Sequence, residues 1–210
     1  MSMPTLTSLV LRLPQPLPQW VANTRTLIQH PRALTTIGVI FRPNMEADSG
    51  APWWNDRAIR YITEQLRPGD QVFEWGSGAS TIWLCDHGAK VISIEHDADW
   101  VEKVTSRCPT ADIRAIPGSA EDYIGAIGEF ADGSFDIVIV DGLYRPECLR
   151  RGASKVKPGG LLILDDTDQA QLARVRKTEL PQWKKVSFTG FKASKDIRQT
   201  TFFRRPGLGA

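Results

Sequence analysis

The order of elements in this 210-residue chain predicts an α/β domain on a mostly parallel, seven-stranded sheet finished by a C-terminal antiparallel hairpin. Three observations predict it. Short apolar runs alternate with helical patterns between residues 71 and 164, the runs are continuous rather than alternating, and two strand-like stretches close the chain without a helix between them. Strands separated by helices are βαβ units with right-handed crossovers, hence a parallel sheet. Continuous apolar runs suit strands covered on both faces. Two strands with no room for a crossover must pair antiparallel.

The first strand is Gln71 to Trp75, followed by a helix from Ser80 to Asp86 and a strand from Val91 to Glu95. A helix over Asp97 to Arg107, a strand over Asp112 to Ile116 and a helix over Ala120 to Ile127 come next. Phe135 to Asp141 is a strand rich in Ile and Val, Pro146 to Val156 a helix, and Gly160 to Leu164 a strand. A helix from Asp168 to Leu180 precedes the closing pair, Trp183 to Thr189 and Gln199 to Arg204. Ahead of the sheet, Ala58, Ile59, Ile62 and Leu66 form one apolar face of a helix that starts near Asn55 and stops at Pro68 and Gly69. Residues 1–50 read as an N-terminal extension or lid with a short helix over Pro18 to Gln29, and residues 51–210 as the main domain.

Composition sits near the average of globular proteins, which excludes disordered and fibrous classes. A formal net charge of +2 is too small to argue for nucleic acid, although the tail from Arg174 to Arg205 is basic. The apolar patch from Leu6 to Leu13 is interrupted by Arg12 and lacks the flanks of a signal peptide, and no run is long enough to span a membrane. Cys85, Cys108 and Cys148 are odd in number and widely spaced, which predicts reduced thiols and a cytoplasmic protein. A homo-oligomer is left open.

Chemistry concentrates at the strand ends. The stretch Val72-Phe73-Glu74-Trp75-Gly76-Ser77-Gly78-Ala79-Ser80 is a strand that ends in an acid and a tight glycine turn before a helix. Glycines let the backbone approach a ligand, and the helix start offers free N–H groups. A dinucleotide-binding turn would need a third glycine at position 81, where the chain has Thr81. A second acid, Glu95, closes the next strand, where ribose hydroxyls are bound in either class of nucleotide-like cofactor. Asp141 closes the fourth strand, beyond which ligands of open α/β sheets lie.

The glycine stretch resembles motif I of the class I S-adenosylmethionine-dependent methyltransferases, with Ser80 in place of the last glycine, and Lys157-Pro158-Gly159-Gly160 resembles that superfamily's turn before the fifth strand. The resemblance implies a Rossmann-like class I methyltransferase sandwich. It implies that Glu74 holds the methionine ammonium directly or through water, that Gly76, Ser77, Gly78 and Ser80 pass beneath the cofactor, and that Glu95 lies at its ribose with His96 near the cofactor, where packing or capping is its other role. Ser119 and Ala120 match the positions that contact adenine; without that role Ser119 is an N-cap. Asp141 is the candidate catalytic base or orienter and also borders the cofactor. Trp54, Tyr144 and Arg145 are candidates for contact with a small-molecule acceptor. Asp141, Asp165 and Asp166 resemble the acidic trio that holds magnesium in catechol-type and macrolide-sugar O-methyltransferases, so Mg²⁺ is a candidate second cofactor. The expected activity is O-methylation of a small hydroxylated metabolite; an NAD-dependent oxidoreductase, an RNA methyltransferase and a non-catalytic cofactor-binding protein are the alternatives.

Overall fold

Residues Val72–Trp75 lie in parallel register with Ile137–Val140, which in turn pair with Leu161–Leu164, so the most apolar runs occupy the middle of one sheet. The structure, a computed structural model, describes residues 19–35, 51–192, 196–207 and 209. Its strands are β1 (Gln71–Trp75), β2 (Lys90–Glu95), β3 (Asp112–Ala115), β4 (Phe135–Val140), β5 (Val156–Leu164), β6 (Lys184–Phe191) and β7 (Ile197–Arg204). They are ordered β3-β2-β1-β4-β5-β7-β6, with β1 to β5 parallel and β7 antiparallel to both its neighbours. The expected mostly parallel sheet with an antiparallel hairpin is what forms.

Helices cover both faces. They are α1 (Gln19–Gln29), α2 (Asp56–Gln65), α3 (Ala79–Asp86), α4 (Ala98–Arg107), α5 (Ala120–Gly125), α6 (Arg145–Gly152) and α7 (Ala170–Thr178). Because side chains alternate along a strand, Val72, Ile137 and Ile163 face Ala58 and Ile62 of α2, while Phe73, Val138 and Leu162 face Tyr123 and Leu149 on the other side. Asn55 caps α2 by accepting a hydrogen bond from the Ala58 N–H at 3.1 Å, and its amide donates to the Phe188 carbonyl at 3.0 Å, tying the helix start to β6.

Two elements and the cysteines differ from the expectation. The helix expected over Pro146 to Val156 stops at Gly152 and becomes a 3-10 turn over Ala153–Lys155. A Cβ on Gly152 would meet Val138 and Trp75 at 3.0–3.1 Å, so this helix rests on the sheet through a glycine. Strand β5 begins at Val156, ahead of the proline and glycines, because Gly159 donates to the Arg205 carbonyl and Arg205 donates back to Gly160. The expectation of three reduced thiols is corrected: Cys85 and Cys108 form a disulfide, and Cys148 is the buried free thiol, its pKa pushed up to about 12 by burial.

Among the described residues no helix is long and apolar enough to cross a membrane. The patch from Leu6 to Leu13 and residues 36–50 of the extension lie outside the described residues.

Candidate functional site

The turns that follow β1 and β4 touch backbone to backbone. Gly76 adopts φ +94°, and a Cβ there would lie 2.8 Å from the Gly142 Cα. A Cβ on Gly142 would in turn sit 2.0 Å from the Tyr123 hydroxyl. Only glycine satisfies both positions. Gly142 was not singled out from the sequence; its signal was a glycine directly after a strand-terminal acid.

Beyond these turns, at the carboxyl ends of β1, β2 and β4, opens a pocket of about 400 Å³. Its floor is the stretch Gly76 to Ser80, and Glu95 and His96 form one wall. Glu95 is 5% exposed and accepts hydrogen bonds from the Ser77 N–H at 3.0 Å and from the His96 and Asp97 N–H groups at 2.7 and 3.1 Å. The imidazole Nδ1 of His96 lies 2.5 Å from the same carboxylate. Trp100 of α4 donates its indole N–H to the Ser77 carbonyl at 2.7 Å, and Trp53 meets its ring edge-on at 6.2 Å. Both tryptophans line the pocket and were not named as site residues.

Glu74 is placed differently from a ligand-touching acid. It is fully buried under the glycine turn, and its carboxylate accepts from the hydroxyls of Ser80 and Thr81, both at 2.5 Å, and of Ser93 at 3.3 Å. Burial raises its pKa from 4.5 to about 7, against the hydrogen bonds that pull it down. The acid thus fastens the turn to the start of α3. Thr81, the residue that breaks the dinucleotide fingerprint, also accepts from the Gly78 N–H at 2.9 Å.

The opposite wall carries Asp141, Arg145, Asp166 and Lys192. One oxygen of Asp141 accepts from the indole N–H of Trp54 at 3.1 Å, and the other pairs with Arg145 at 3.1 Å. Trp54 itself is 2% exposed and packed in the core, so of the Trp53-Trp54 pair the first faces the pocket and the second steadies the acid behind it. Arg145 also donates to the main-chain carbonyls of Asp141, Gly142 and Asp165, which fixes the turn after β4 against the turn after β5. Tyr144, 42% exposed, caps α6 in the left-handed region and lies outside the pocket lining. Ser119 caps α5 by accepting from the Asp122 N–H at 3.3 Å; it is exposed, and neither it nor half-buried Ala120 lines the pocket.

The acidic trio does not fit a magnesium ion. Among the described residues no three His, Cys, Asp or Glu side chains are arranged to hold a metal. Asp165 is fully buried, with one oxygen 2.6 Å from the Lys192 ammonium and the other accepting from the Thr200 hydroxyl at 2.6 Å. Asp166 pairs with Lys192 at 3.0 Å and with Arg145 at 3.1 Å. Burial disfavours charge on Lys192, but the three aspartates around it outweigh that and raise its pKa, so it remains an ammonium. Lys192 was missed in the sequence because it lies in a stretch rich in Gly, Lys and Ser that reads as a solvated loop.

Residues 75–164 match the family model described as a methyltransferase domain. A protein-L-isoaspartate O-methyltransferase of Flavobacterium psychrophilum is 32% identical over 140 residues, which span 64% of this chain and 64% of that protein. The fold is similar to that of an O-methyltransferase from Bacillus cereus in complex with SAH, with a TM-score of 0.58 at 14% identity over 95% of this chain and 96% of that one. It is equally similar to the O-methyltransferase TomG from Streptomyces achromogenes, involved in tomaymycin synthesis and solved in complex with SAM, at 0.58 and 16% identity over 91% of this chain and 100% of that one. The family match covers residues 75–164, under half of the chain, and the seven-stranded fold is shared with these two O-methyltransferases.

Proposed function

We propose that the protein transfers a methyl group from S-adenosylmethionine to an oxygen of a small hydroxylated metabolite, with Asp141 as base or orienter. The carrying observation is one pocket bounded by a glycine turn, a strand-terminal Glu95 and, opposite them, Asp141. The residues present suit the cofactor: the turn from Gly76 to Ser80 admits close approach, and Glu95 Oε2, bonded to the Ser77 N–H, keeps a lone pair for a ribose hydroxyl. When bound, the cofactor supplies a methyl group on a positively charged sulfur, and its transfer depends on in-line alignment more than on covalent help.

What the chain contributes is orientation. Trp54 and Arg145 hold the two oxygens of Asp141, leaving lone pairs at the pocket mouth to accept from an acceptor hydroxyl. Trp53 and Trp100 form an aromatic rim on the cofactor side of the pocket. A carboxyl acceptor on a peptide is a second reading, favoured by the 32% identity to a protein-L-isoaspartate O-methyltransferase.

The test is methyl-labelled S-adenosylmethionine with panels of hydroxylated small molecules and of isoaspartyl peptides, alongside calorimetric titration with S-adenosylhomocysteine. Label on the small molecules is the expected result; label on peptides alone would move the acceptor to the second class, and absence of binding would remove the enzyme reading. Asp141→Asn is expected to keep the product's affinity within about threefold while lowering turnover by about 10²-fold or more, the scale of a lost general base.

A further inference from the structure

Three carboxylates converge at the ends of β4 and β5, and two side-chain cations are threaded through them. Lys192 Nζ stands 2.6 Å from Asp165 and 3.0 Å from Asp166. Arg145 then spans from Asp166 to Asp141, at 3.1 Å on each side. Every one of the three acids therefore has a protein cation at hydrogen-bond distance. Buried carboxylates in close company repel one another unless a positive charge lies among them.

The topology explains why Lys192 can reach them. β7 is inserted between β5 and β6, and Lys192, immediately after β6, is joined to the start of β7 through its main-chain N–H, which donates to the Asp196 carbonyl at 2.8 Å. Thr200 of β7 supplies the remaining hydrogen bond to Asp165 from the same side. The hairpin thereby delivers an ammonium to the acid cluster from across the strand between them. The ammonium is 9% exposed as a residue, yet it also borders the pocket.

We propose that Lys192 is the resident cation of this cluster: with Arg145 it occupies the position a divalent ion would take, so the site binds no Mg²⁺ and the aspartates are positioned by protein charges. Magnesium needs several unencumbered oxygens in near-octahedral array. Here Asp165 has both oxygens engaged and Asp166 has one on each cation. Lys192 is on this view a positioning residue, acting on the pocket through Asp166 and, by way of Arg145, through Asp141. The inference is independent of which acceptor is methylated, because its readout is metal binding and not turnover.

The experiment measures Mn²⁺, a spectroscopic substitute for Mg²⁺, by the loss of its free paramagnetic signal on addition of the purified full chain at pH 8. The wild-type protein is expected to take up none at this cluster, and Lys192→Met about one equivalent, as the freed oxygens become ligands. Lys192→Arg, which keeps the charge, is expected to behave as wild type, and adding Asp166→Asn to Lys192→Met is expected to abolish the gained site. Mn²⁺ uptake by the wild-type chain that Asp166→Asn removes would overturn the proposal, as would a folded Lys192→Met that binds none. Should Lys192→Met fail to fold, the wild-type arm and its Asp166→Asn control still decide: indifference to Mn²⁺ upholds the proposal and Asp166-dependent uptake refutes it.

Discussion

At position 74 a carboxyl group is enclosed beneath the turn that defines the pocket floor. Its pKa of about 7, against an ordinary 4.5, means that between these values the folded protein holds a proton the unfolded chain has lost. Stability contributed by that proton is fully present below 4.5 and is lost as pH rises through about 7, the reverse of a salt-bridged acid. Glu74→Gln keeps the shape and the acceptor oxygen without the titration. Denaturant midpoints measured from pH 4.5 to 8 are expected to show wild type losing about 3 kcal/mol relative to the variant, from about 1.4 kcal/mol for each unit by which the pKa is raised. Parallel curves would show that the buried acid is already charged at low pH. Such a role was not legible in the sequence. A strand-terminal acid before a glycine turn reads as a ligand contact, and only the hydroxyls of Ser80, Thr81 and Ser93 around it reveal a fastener. The same holds for Trp53 and Trp54, adjacent in the chain: which indole faces the pocket depends on the direction in which the chain enters α2, and no pattern of two residues encodes that.

The helices that follow β1 and β2 are joined at their far ends. Cys85 lies in the last turn of α3 and Cys108 caps α4, and their disulfide closes a loop over a sequence separation of 23. Ile82, Val104 and partly buried Trp100 pack around it, so the bridge extends a small apolar cluster that ends at the pocket. By loop-closure entropy a bridge of this length contributes about 3 kcal/mol. Thiol titration of the unreduced, unfolded chain is expected to find one free cysteine, and Cys108→Ser is expected to lower stability by about that amount. Three titratable thiols before reduction would show the pair to be open. The widely spaced cysteines predicted reduced thiols because spacing along the chain says nothing about distance across α3 and α4; with two of them paired, the argument from cysteine to a cytoplasmic location loses its footing. Element existence was otherwise well marked. Gln71–Trp75 begins and ends as its apolar run does, whereas β5 reaches back through Pro158 because its partner there is the chain beyond β7, invisible to a local reading.

At the scale of the whole molecule the pocket has two halves of different origin. The side of the glycine turn and Glu95 is built by β1 and β2 with the helices after them, local units whose pattern is legible in motif and strand order. The other side, with Asp141, Arg145, Asp166 and Lys192, draws on the ends of β4 and β5 and on the returning hairpin β6 and β7, whose placement follows from long-range pairing. Helix α1 reaches the hairpin: the Asn23 side chain accepts from the Ile197 N–H at 3.2 Å, and Leu27 and Ala33 pack with Phe191 and Ile197 in a cluster next to Lys192. If the extension steadies the Lys192 side alone, deleting residues 1–35 is expected to leave the affinity for S-adenosylhomocysteine within about threefold, since Gly76 to Ser80 and Glu95 are held by contacts among residues 71–115. The same deletion removes the Asn23–Ile197 hydrogen bond and the packing of Leu27 and Ala33 on Phe191, the bond alone being worth about 1 kcal/mol and about fivefold in amide exchange. Hydrogen exchange is therefore expected to quicken at Ile197 while Gly76 to Thr81 stay protected. Equal loss of protection at both places, together with lost cofactor affinity, would make the extension part of the cooperative core rather than a cover on one side of it.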